Sequence, residues 1–133
     1  MSLGYRTMKS RETALRLKQF EADEKARKVA ELEHMIREFL GMAADLDRQI
    51  QAEEDRTGVK DKTHFAYSTF AKSAAARRDN LRASAAELTG KLEAAQRERD
   101  EAVEQLSRAG MSEMHGDART RRRSERMATV LMR

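Results

Sequence analysis

Residues 29–50 read VAELEHMIREFLGMAADLDRQI. The apolar side chains Val29, Leu32, Ile36, Phe39, Ala43, Leu46 and Ile50 recur in alternating steps of three and four. That is the a/d spacing of a coiled coil, not the period of two of a strand. Traced backwards, the same positions fall on Lys25, Ala22, Lys18 and Leu15, so the stripe grows more polar toward the N-terminus. Between Lys9 and Arg56 the only breaker is Gly41, which predicts a helix over about 9–56, a rod of roughly 70 Å at 1.5 Å per residue.

The segment Thr57 to His64 interrupts the stripe. Gly58 can adopt the left-handed conformation that closes a helix. Ser68 suits an N-cap, because its hydroxyl can accept from a free backbone N–H. A second helix is predicted over about 69–109, with the stripe Ala71, Ala74, Arg78, Leu81, Ala85, Leu88, Leu92, Ala95, Arg99, Ala102, Leu106 and Ala109. Neither stripe can be buried alone, and a connection over about 57–68 lets the helices fold back antiparallel. The predicted fold class is therefore all-α: one helical hairpin, a long two-helix antiparallel coiled coil.

If Arg56 faces Ser68, facing residue numbers sum to 124. Ile50 then meets Ala74, Ala43 meets Leu81, Phe39 meets Ala85 and Val29 meets Ala95, large against small, as interdigitated packing asks. The same register sets Lys25 against Arg99 and Lys18 against Leu106. Either the coil end is frayed there, with the basic stems snorkelling outward, or a partner completes it. Beyond Gly110 the helix is expected to continue with fraying into a basic tail, 117–133.

Composition fits this reading. The chain has 133 residues, 38% of them charged, and no Pro, Cys or Trp. Ala, Glu, Lys, Leu and Arg make up more than half of it, the composition of long helices. Without Cys there is no disulfide framework, thiolate metal site or thiol nucleophile. The longest apolar run, Phe39 to Ala44, is far short of the roughly 20 residues that span a bilayer, and the N-terminus lacks the apolar stretch of a secretory signal. A cytoplasmic protein is the expectation. The net charge of +4 sits in the tail, where residues 117–133 carry six Arg against Asp117 and Glu125.

No catalytic, cofactor or metal site is predicted. The three His are spread over helix 1 (His34), the connection (His64) and the glycine-flanked stretch (His115). Glu31, His34 and Glu38 share a helix face, and Glu113, His115 and Asp117 diverge at two-residue steps. No glycine-rich phosphate loop occurs, and a two-helix hairpin offers no concave pocket for a small-molecule substrate. The expectation is a protein that is not an enzyme and acts through its surfaces.

Four surfaces stand out. At the connection, Phe65, Tyr67 and Phe70 either plug the end of the hairpin or dock a partner; aromatics dominate interface hot spots. Met35, Leu40 and Met42 flank the stripe of helix 1. They widen it for contact with another helix, or for packing by the chain's own tail. Leu17 and Phe20 face away from the stripe, as a small docking patch, unless a local stutter turns them inward. The last is the arginine cluster Arg119, Arg121, Arg122 and Arg123.

Certain blocks are more specific than heptads. Met8-Lys9-Ser10-Arg11-Glu12-Thr13, continuing through Leu17, Phe20, Asp23-Glu24-Lys25 and Val29, resembles the start of the flagellar export protein FliJ family of alphaproteobacteria. So do Met42-Ala43-Ala44-Asp45-Leu46-Asp47, His64-Phe65-Ala66-Tyr67 and Arg77-Arg78-Asp79-Asn80-Leu81. The resemblance runs in order from about Met8 to Leu81. Met1 to Thr7 precede it and carry no functional argument. The resemblance implies an antiparallel coiled coil similar to the stalk of rotary ATPases. It also implies a role as coupling factor or chaperone of flagellar type III export, with no catalytic residue and no cofactor. The implied partners are the export ATPase ring, a membrane export-gate protein and export chaperones, with the membrane reached only through them. The rival reading is a coiled-coil nucleic-acid binder or generic scaffold using the basic tail. Its basic residues cluster past the coil without interleaved aromatics, which argues against it.

Overall fold

The computed structural model describes residues 3–131, with side chains for 9–116 and 118–131; Met1 and Ser2 of the N-terminal prefix lie outside the described residues. Two helices account for the chain, α1 (Leu3–Thr57) and α2 (Thr69–Leu131), with no strand among the described residues. The expected all-α helical hairpin is what forms. The predicted limits of 9–56 and 69–109 widen at three of four ends. α2 passes through Gly110 and Gly116 without interruption and continues to Leu131. Each helical glycine costs about 1 kcal/mol; Ala109 and Glu113 beside them are half-buried, whereas the described side chains from 118 to 131 are exposed.

The chain divides into two compact units, Lys28–Ala95 and the described parts of Met1–Arg27 with Gln96–Arg133. In the first, every predicted seam position of both helices is buried or half-buried. Val29, Leu32 and Ala95 form one buried cluster with Leu88 and Leu92 packed against it. Ile50, Tyr67, Ala71 and Ala74 form another, bordered by Leu46, Val59 and Ala75. Both clusters match facing residues that sum to 124: Val29 with Ala95, Leu32 with Leu92, Ile50 with Ala74. Small residues on α2 let the larger side chains of α1 approach its backbone, and Ala71 is fully buried as a result. A short bis-thiol cross-linker should join Phe39→Cys to Ala85→Cys rapidly, and should fail with Phe39→Cys and Leu92→Cys, which is displaced by about 10 Å along α2. Efficient cross-linking of the second pair would refute this register.

One polar seam position is well served. Arg78 sits at an a position, and its guanidinium donates to Asp47 Oδ1 at 2.8 Å and to Asp79 at 3.1 Å. Arg82 also reaches Asp47. The hydrogen bond from Arg78 holds the Asp47 carboxyl below its ordinary range, against some desolvation, and the charge of Arg82 adds to the effect.

The second unit is packed more lightly. Ala22 is its one buried apolar residue among those described, whereas Leu15, Lys18, Lys25, Arg99, Ala102, Leu106 and Ala109 are half-buried. The like-charged level expected at Lys25 and Arg99 is neutralised. Lys25 Nζ meets Glu98 at 3.1 Å and Arg99 meets Asp100 at 3.0 Å, so both stems lie in the seam with their charges at its edge.

Candidate functional site

The connection from Gly58 to Ser68 is built from local hydrogen bonds. Gly58 has φ of 73°, and its N–H donates to the Glu54 carbonyl at 2.9 Å, which closes α1 in the manner expected of this glycine. Asp61 Oδ1 accepts from the Thr63 N–H at 2.9 Å and the Thr63 hydroxyl at 2.7 Å, and these bonds hold its carboxyl below the usual range. The His64 N–H donates to the Asp61 carbonyl, and the Tyr67 N–H to the His64 carbonyl. His64 Nδ1 accepts from the Ala66 N–H at 3.0 Å. Ser68 then caps α2: its Oγ accepts from the Ala71 N–H at 3.2 Å and donates to Glu53 at 3.1 Å. The hydrogen bond from Arg56 is the main reason that the Glu53 carboxyl lies below its ordinary range, with Ser68 adding to it against desolvation.

These turns divide the three aromatics. Tyr67 is 5% exposed, packed on Ile50, Ala71 and Ala74, and its hydroxyl donates to Glu54 at 3.3 Å. Burial, and then the charge and hydrogen bond of Glu54, raise its pKa. Tyr67 is thus the plug. Phe65 is 95% exposed and Phe70 54%. The Phe65 ring is stacked on the His64 imidazole, centroids 4.6 Å apart, and its backbone lies inside the hydrogen-bonded turns. A large apolar ring held in water by an ordered loop removes conformational freedom before any partner arrives, which favours affinity when one does.

The other predicted surfaces are outward as well. Leu17 and Phe20 are each more than half exposed, so no stutter turns them inward. Met35, Leu40 and Met42 are exposed, and so is every described side chain from 118 to 131. Arg119, Arg121, Arg122 and Arg123 stand on the last turns of α2. Two features escaped the sequence reading. Val103, Met111 and Met114 make an exposed apolar flank on α2; their e, f and b positions were the available signal. Arg11 and Lys18 of α1 line one open groove with Arg119 of α2, a juxtaposition that depends on the pairing of distant segments. Gly116 makes room for it: a Cβ there would meet the Arg11 guanidinium at 2.8 Å.

The remaining titratable groups form no larger constellation. His34 Nε2 lies 3.3 Å from Glu38 on the exposed face of α1. The Asp117 side chain lies outside the described residues, and among those described no three His, Asp or Glu side chains converge. No helix among the described residues is long and apolar enough to cross a membrane. Comparison of the chain with protein-family models, with curated proteins and with solved structures finds no match.

Proposed function

We propose that this chain is a non-enzymatic coupling factor and chaperone of flagellar type III export, a FliJ-like hairpin that contacts an export ATPase ring and an export-gate protein. The observation that carries the reading is the almost fully exposed Phe65 on a hairpin whose core is closed at this end by Tyr67, with Val59 packed against it. An apolar ring that contributes nothing to the core, yet is held in a defined turn, is suited to a partner. The blocks that carry the family resemblance support the reading from another side. Asp47 and Arg78 come from two of those blocks and pair with each other, while His64 and Tyr67 of a third build the turn.

In this proposal the Leu17, Phe20 and arginine-bearing parts serve the ATPase, and the aromatic connection serves other partners. A hairpin lacks the symmetry of a ring, so it cannot meet every subunit identically. It should favour the assembled ring and bias its subunits toward different states. Adding the protein is therefore expected to raise ATP turnover of its cognate export ATPase, most clearly at low ATPase concentration. Hydrolysis rates that stay the same at every concentration, with both proteins folded, would remove the stalk role and leave the chaperone role alone.

A further inference from the structure

We infer that the face of α2 carrying Arg119, Arg122, Arg123 and Arg126, extended by Arg11 and Lys18 of α1, is a direct docking surface for an anionic lipid bilayer. The four Arg recur at i, i+3, i+4 and i+7, so they share one side of the helix. They line a common surface hollow, and Arg119 also lines the groove of about 650 Å³ that holds Arg11 and Lys18. The six cations thus form one strip drawn from both helices. Among the described residues none of the six enters an ion pair. Single unpaired cations such as Lys28, Arg37 and Lys91 also stand on the outer faces of the helices, and what distinguishes the six is that they adjoin one another. Glu113 lines the same groove and Glu125 the hollow beside Arg122 and Arg126, so the six cations stand against two carboxylates, and the excess of positive charge along the strip calls for a polyanion.

Two observations favour a lipid surface over a nucleic acid. Val130 borders the same side, in a hollow shared with Arg122 and Arg126, and Met127 and Leu131 lie beside it, all three exposed. Exposed apolar side chains next to basic ones are of no use against phosphates in water, but they enter the acyl boundary when a helix lies in a membrane interface. Among the described side chains the strip also carries no exposed aromatic ring on which bases could stack. Arg suits phosphodiester headgroups, since its planar fork donates in pairs. This differs from the expectation of membrane contact only through partners. It does not rest on the export reading, and it gives these arginines a ligand other than the ATPase subunits with which that reading pairs them.

The test is co-sedimentation of the full chain with vesicles of pure phosphatidylcholine and of phosphatidylcholine containing about one-third phosphatidylglycerol. Binding is expected for the anionic vesicles only, weakening strongly at about 0.5 M salt. Each basic residue near such a surface contributes roughly fivefold, so Arg119→Gln with Arg122→Gln and Arg126→Gln should lose on the order of a hundredfold. Met127→Ser with Val130→Ser should lose several-fold while leaving any attraction to a DNA duplex unchanged. All five positions are exposed, and circular dichroism checks that helix content holds. No sedimentation of the unmodified chain with anionic vesicles overturns the inference. So does tighter binding to a duplex or to polyglutamate than to the vesicles in the same buffer, which would assign the strip to nucleic acid or to an acidic protein.

Discussion

Tyr67→Ala is expected to destabilise the Lys28–Ala95 unit by about 3–5 kcal/mol, the usual range for truncating a buried aromatic. The double variant Phe65→Ala with Phe70→Ala should change stability by less than about 1 kcal/mol. The three residues lie within six positions of one another, and sequence alone treats them alike. The difference is their surroundings. Tyr67 fills the space between Ile50, Ala71 and Ala74, and its loss leaves a cavity that the two helices cannot close without shifting. It also leaves Glu54 without the hydroxyl that donates to it. Phe65 touches little besides the His64 ring. Chemical denaturation of the three proteins measures both effects. If the chain acts as proposed, the double variant also loses binding to its partner while remaining folded. A Phe65/Phe70 variant that melts early and still binds would assign those rings to the fold instead.

Val29→Asp should be comparably damaging, by about 3–5 kcal/mol, because it buries a charge with no partner. Val29 is 2% exposed, in a cluster with Leu32 and Ala95 against which Leu88 and Leu92 pack. Met42→Asp, on the exposed flank of the same helix, should shift stability by no more than about 0.5 kcal/mol. Thermal melts at low protein concentration make the comparison. An equally large loss from Met42→Asp would mean that this flank is covered in solution by something the chain alone does not supply, and the loss should then depend on concentration. Wild-type-like stability of Val29→Asp would overturn the register itself.

Much of the fold was legible in the residues because coiled-coil packing is nearly one-dimensional. Each seam side chain meets partners fixed by the spacing of the stripe and by one choice of turn. The sequence therefore located Gly58 as the helix end and Ser68 as the cap, and it paired Val29 with Ala95. It read the far end of α2 less well. Gly110 and Gly116 weaken the helix by propensity, and the helix continues through them with Ala109 and Glu113 half-buried beside them. The Asp47–Arg78 pair was also missed, although Arg78 had been noted in the stripe. A charge at an a position is tolerated when a carboxylate lies within reach across the seam, and reach depends on side-chain direction.

The sequence by itself determined the class of the molecule, the two helices and the register of their pairing, since these follow from period, turn chemistry and the alternation of large and small residues. Tertiary structure decided which apolar and charged side chains are left for partners. Phe65, Tyr67 and Phe70 are similar in type and position, but the turn brings the Tyr67 ring into the core and leaves Phe65 in water, and Phe70 stands exposed on the first turn of α2. Arg11 and Lys18 lie about a hundred positions from Arg119 along the chain. They join it in one groove only because the helices pair antiparallel, and Gly116 has no side chain to keep the Arg11 guanidinium away. Periodicity records what a helix buries; it holds no record of what two distant segments expose side by side.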